Sequence, residues 1–183
     1  KILLILMVGN LFAHDDLSKK NETTLNDLAT NKTNPFLYGF NEIIRFNDLE
    51  VGDITEATNI VIKDADVILK QIIDLDNNTR TFNNTMVRID DIYNIIEKVW
   101  SPGYLMGSTH TNQEIRDEGL ESSRQIQKYI TDISLNEDLY NAVIAYSNLE
   151  EAQQLSDYKK KYLDDTLLDY KRSGFGLPKE KRD

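Results

Sequence analysis

Three pairs of adjacent carboxylates, Asp90-Asp91, Glu150-Glu151 and Asp164-Asp165, are the residues of this 183-residue chain best suited by type to proton transfer or cation binding. Both kinds of chemistry need acidic groups that converge on one point. Neighbours on a helix point about 100° apart, so no pair converges by itself and each is expected on a solvated helix face. The two histidines, His14 and His110, fall in segments expected to be non-helical, and neither has a second histidine at ligand spacing. Absence of cysteine excludes disulfides and thiolate zinc sites. There is no His-Glu-x-x-His helix, no Gly-x-Ser-x-Gly elbow and no phosphate-cradling glycine loop. Tyr158, Tyr162 and Tyr170 could form a ligand-facing stripe, but their spacing fits core packing better. The residues therefore identify no catalytic or metal-ligating group and leave any substrate-binding set unknown.

Composition narrows the partners. A net charge of -10 argues against a nucleic-acid backbone, since phosphate binding depends on clustered Lys and Arg. The basic clusters Lys159–Lys161 and Lys179–Arg182 read as solvated helix ends. Lys1–Ala13 has a cation, a short apolar run and a closing small residue, the form of a secretory signal peptide cleaved after Ala13. That predicts a secreted or periplasmic, cell-envelope location. No further apolar run reaches eighteen residues, so no membrane span is expected in the mature chain. Residues 14–52 are read as a flexible polar leader to Pro35 followed by an irregular segment, Phe36–Val51, that packs onto the domain.

From Asp53 the pattern becomes helical. A first helix is expected from Asp53 to about Asp74, broken by Asp76-Asn-Asn-Thr. A second starts at Thr81-Phe-Asn-Asn-Thr with Asn at its cap and stops at Ser101-Pro102-Gly103. Capping boxes at Thr111–Glu114 and Ser134–Glu137 open a third and a fourth. Gly119, Ser122 and Ser123 in the third predict close approach of a neighbour. A fifth runs through Tyr158, Tyr162, Leu163, Leu167 and Tyr170 to a cap at Gly174. Pro178-Lys-Glu-Lys-Arg reads as a further helix beginning. No alternating run suggests strands. The expectation is an all-α, antiparallel bundle of about five helices, with residues 53–183 as the helical domain.

Three blocks carry a resemblance. Thr81-Phe-Asn-Asn-Thr-Met is similar to a "T-[FY]-E-N-T" helix start, with Asn83 in place of its Glu. Ser122–Tyr140, ending in Ser134-Leu-Asn-Glu-Asp-Leu-Tyr140, is similar to a helix closing on "S-x-x-E-D-[LV]-Y". Leu167-Leu-Asp-Tyr-Lys-Arg-Ser-Gly-Phe-Gly-Leu-Pro-Lys-Glu-Lys-Arg182 resembles "L-x-D-[FY]-x-R-x-G-x-x-L-P-x-E-x-[RK]". In this order they resemble the N-terminal region of the thimet oligopeptidase family of zinc metallopeptidases, the oligopeptidase A, neurolysin and saccharolysin type. The resemblance implies a parent enzyme that hydrolyses short unfolded peptides in a deep channel. The helical N-terminal part would form a channel wall that restricts substrate size. The parent's zinc and His-Glu-x-x-His helix would lie in a later catalytic portion, the other partner of this part. No catalytic or metal residue carries over, and the chain is expected to bind no zinc and to be inactive alone. The alternative is an exported acidic helical domain that binds a protein or peptide without catalysis.

Overall fold

The structure, a computed structural model, describes residues 34–39 and 42–175. The expected signal peptide, most of the leader and the helix expected after Pro178 lie outside the described residues. Within them the chain is all-α, and no strand is present. The elements are α1 (Asp53–Ile73), α2 (Val87–Thr109), α3 (Gln113–Ser134), α4 (Glu137–Ser147), a single turn α5 (Glu150–Gln153) and α6 (Asp157–Arg172). Ile54, Ala57, Val61, Ala65, Ile68 and Ile72 of α1 are buried at steps of three and four, so the stripe read from sequence is the face that packs.

The described residues divide into two compact units. One comprises the residues up to Val67 with Asp90–Lys128; the other comprises Ile68–Ile89 with the chain from Tyr129 onward.

In the first unit the helices meet at glycine. A β-carbon added at Gly119 of α3 would lie 2.4 Å from the Gly103 carbonyl oxygen and 2.5 Å from the Gly107 nitrogen of α2. Backbone therefore touches backbone, as Gly119 and its serine neighbours predicted. Ser122 Oγ shares a 2.6 Å hydrogen bond with Thr58 Oγ1 of α1, so a buried hydroxyl pair marks the same crossing.

α2 does not stop at Ser101-Pro102-Gly103, contrary to the sequence reading. It runs through Pro102 to Thr109. A proline there removes the N–H that would bond the Lys98 carbonyl. The Tyr38 hydroxyl donates to that carbonyl in a long 3.5 Å bond. Beyond the proline, buried Gly103, Met106 and Gly107 hold the extra turns in place.

The leader is also shorter than composition suggested, because Asn34 and Pro35 are buried. Asn34 Nδ2 donates to the Asp53 carbonyl and to Glu56, while its Oδ1 accepts from the Phe36 N–H. A polar residue read as solvated is a clamp on the start of α1. Phe36 then packs edge-on against Phe46, with centroids 6.2 Å apart.

Glu118 of α3 caps α1 from outside it. Its carboxylate accepts from the Gly52 N–H and from both the N–H and hydroxyl of Thr55. The negative charge also faces the positive end of the helix dipole. Replacing Glu118 by Ala is expected to lower unfolding free energy by about 2 kcal/mol in urea titration, and Glu118→Gln by about 1 kcal/mol.

Three helix starts use a different cap residue from the one read in the sequence. Thr81, not an Asn, is the cap ahead of the π-type turn Phe82–Met86, and Asn84 returns the bond to the Thr81 N–H. On α3 the Glu114 N–H donates to Asn112, and on α4 the Leu139 N–H donates to Asn136. Thr111 and Ser134 are not the caps, because an Asn one or two residues later takes the exposed N–H first.

Candidate functional site

Of the three carboxylate pairs, two sit where expected. Asp164 and Asp165 pair with Lys160 and Lys161 one turn back, all on the surface of α6. Such pairs stabilise a helix by roughly 0.3–0.5 kcal/mol and leave no free base. Glu150 is exposed, whereas Glu151 is tied down: its carboxylate accepts from the Phe82 N–H at 3.1 and 3.3 Å. Close to it lies the buried Tyr146 hydroxyl. Burial first, then the charge of Glu151 and hydrogen bonding to it, pushes the pKa of that hydroxyl upward.

Asp90-Asp91 departs from the expectation of a solvated face. Asp91 is only 6% exposed. Burial lifts the Asp90 pKa to about 6, with Asp91 adding to the rise and a hydrogen bond from Asn94 opposing it. The carboxylates ride on a helix that is buried on most sides, which a pairwise sequence pattern does not reveal. A folded-state pKa above the unfolded value means the native state holds the proton longer, so stability is present at low pH and declines as pH rises through about 6. Asp90→Asn, which still accepts from Asn94, is expected to raise stability at pH 7.5 by roughly 1–2 kcal/mol and by about a third as much at pH 4.5, where the unfolded carboxylate is already largely ionised. Paired thermal or urea unfolding at the two pH values checks this.

His110 is a local cap, its Nδ1 accepting from the Asn112 N–H at 3.1 Å. His14 and Lys179–Arg182 lie outside the described residues. Among the described residues no three His, Cys, Asp or Glu side chains come together in a way that could hold a metal ion. One concavity of about 360 Å³ is lined by the consecutive residues Ile43–Asp48, so it is the inside of a turn. No described helix is long and apolar enough to cross a membrane.

The tyrosines of α6 separate. Tyr158 is 53% exposed, which corrects its placement in a core stripe, since it overhangs the first turn of the helix. Tyr162 sits edge-on to Phe82 at 6.3 Å, and the Lys159 ammonium lies 5.0 Å from the same ring. Tyr170 is buried beside Tyr140 and Phe175, with centroid separations of 5.3 Å and 5.2 Å, and Tyr140 lies 4.6 Å from Phe175.

That cluster explains what the three motif blocks do. α4, which begins in the second block, packs against the Phe82–Met86 turn of the first and against α6 of the third. In the third block Gly174 has φ +92, its N–H donates to the Lys171 carbonyl, and the Phe175 N–H donates to the Tyr170 carbonyl. This is a Schellman cap, closed by the ring contact between Phe175 and Tyr170. Thr81, Phe82, Asn84, Asn136, Tyr140, Tyr170, Gly174 and Phe175 of the blocks are thus caps and ring contacts of one helical unit.

Sequence comparison locates relatives along most of the chain. A thimet-like oligopeptidase of Dictyostelium discoideum is 28% identical over 146 residues, covering 78% of this chain and 22% of that protein. Oligopeptidase A of Haemophilus influenzae is 26% identical over 137 residues, covering 75% and 20%. Oligopeptidase A of Escherichia coli is 24% identical over 150 residues, covering 82% and 22%. No protein-family model matches the chain. Most of the chain is therefore similar to oligopeptidases, and it spans about a fifth of the length of the curated relatives it matches.

Proposed function

We propose that this chain is the helical, non-catalytic N-terminal part of a zinc-dependent oligopeptidase that hydrolyses short peptides. The observation that carries the reading is the asymmetry of the match: three-quarters or more of this chain aligns with about a fifth of each oligopeptidase. The described residues do not fit a zinc site, since no ligand set converges among them, so no chemical step is assigned to them. Zinc and the catalytic groups belong to the parent outside these residues.

The part played by this chain is shape. A backbone-packed helix crossing and rigidly capped helices make a stiff wall, and a stiff wall beside an active site admits extended peptides while turning away folded ones. The apolar run Lys1–Ala13 supports export of the parent to an envelope or extracellular compartment.

Purified residues 14–183 are expected to hydrolyse no peptide from a mixed short-peptide library, with zinc or without it. Turnover that disappears on chelation would overturn the assignment.

A further inference from the structure

The end of α2 and its turn into α3 stand apart in composition. Val99–Gln113 holds no Asp, Glu, Lys or Arg over fifteen residues, although 28% of the chain is charged. Three large apolar side chains here face solvent: Tyr104 is 60% exposed, Leu105 47% and Leu120 40%. Leu120 and Tyr104 belong to one patch. A β-carbon at Gly107 would meet Leu120 Cδ2 at 3.3 Å, and Tyr104 is one turn before Gly107 on the same helix side. The backbone contact at Gly119 holds the two helices in register, so the patch is presented on a fixed frame.

Depletion of charge with an exposed tyrosine is the composition of an interface centre, not of a free surface. A second copy is a poor occupant, because two chains of net charge -10 repel around any shared patch. The relatives offer another: about four-fifths of their length lies outside the matched stretch.

We propose that the face carrying Tyr104, Leu105 and Leu120 docks onto polypeptide of the same parent oligopeptidase that lies outside this chain. The inference rests on the proposed function and adds the contact surface to it. The test places the photo-crosslinking residue benzoylphenylalanine at position 104 of the full-length gene product and maps crosslinks by peptide mass spectrometry. The expected result is an intrachain crosslink to a peptide beyond Asp183, with a yield that does not change over a tenfold range of protein concentration. Crosslinked dimers whose yield rises with concentration would overturn it, as would irradiation that gives no crosslink beyond Asp183. A product whose intact mass shows no polypeptide beyond this chain would overturn both the inference and the parent assignment. A parent-length product crosslinked elsewhere overturns the inference alone.

Discussion

Gly119→Ala is expected to destabilise the protein by about 3 kcal/mol, against the roughly 1 kcal/mol that alanine ordinarily gains over glycine inside a helix. The sign is set by what the new methyl group meets. It would lie 2.4 Å from the Gly103 carbonyl oxygen, 2.5 Å from the Gly107 nitrogen and 2.8 Å from the Gly107 Cα, all backbone atoms that no rotamer change can move. α3 must move off α2, which also strains the buried Ser122–Thr58 hydrogen bond that ties α3 to α1. The other two glycines of the crossing give an internal scale. Gly107→Ala meets the Leu120 nitrogen at 3.0 Å and is expected to cost about 1–2 kcal/mol. Gly103→Ala meets nothing closer than Ser122 Oγ at 3.5 Å and is expected to be neutral or slightly stabilising. Urea unfolding of the three variants should therefore rank them 119, 107, 103 from most to least damaging. A Gly119→Ala variant as stable as the parent sequence would mean that the helices do not touch there.

Loss of Arg80 is the second large effect. Arg80 is 4% exposed, and its guanidinium closes the end of α1: Nη1 donates to the Ile72 carbonyl at 2.8 Å, Nη2 to Leu75 at 3.0 Å and to Ile73 at 3.4 Å, and Nε to Asn77 Oδ1 at 2.9 Å. The Ile72 and Ile73 carbonyls are among those that a helix end leaves without N–H partners, and a cation there also complements the dipole. Burial lowers the guanidinium pKa and Asp76 raises it again, but arginine stays charged at any physiological pH. Arg80→Met keeps much of the stem and strands the acceptors, and is expected to cost about 3–4 kcal/mol. Arg80→Lys keeps the charge without the fork and is expected to lose about 2 kcal/mol. Equal losses for the two variants would mean that charge alone, and not the fan of donors, holds the helix end.

Much of the fold was legible because helical stripes and small residues are local signals. The spacing from Ile54 to Ile72 marks α1, and Gly119 with Ser122 and Ser123 marks the close crossing. What was not legible depends on partners distant in sequence. Pro102 reads as a stop until Tyr38 and the glycine crossing are seen to support the turns beyond it. Arg80 looks like any surface cation, and nothing local marks the carbonyls it closes. Asp90 and Asp91 form a pattern that most often means a wet helix face, and only the surrounding burial changes that. The motif blocks were recognisable as strings, yet their purpose emerged only when Tyr140, Tyr170 and Phe175 were found stacked together.

The claim on which the rest depends is that peptide hydrolysis belongs to a longer protein of which this chain is the inert helical part. The most direct measurement is gel filtration of the natural gene product, tagged and produced in full, with short-peptide hydrolysis assayed across the fractions. The account predicts that activity elutes with a product several times the 21.1 kDa mass of this chain and is lost on chelation. A product of about that mass, free of peptidase activity, would contradict it.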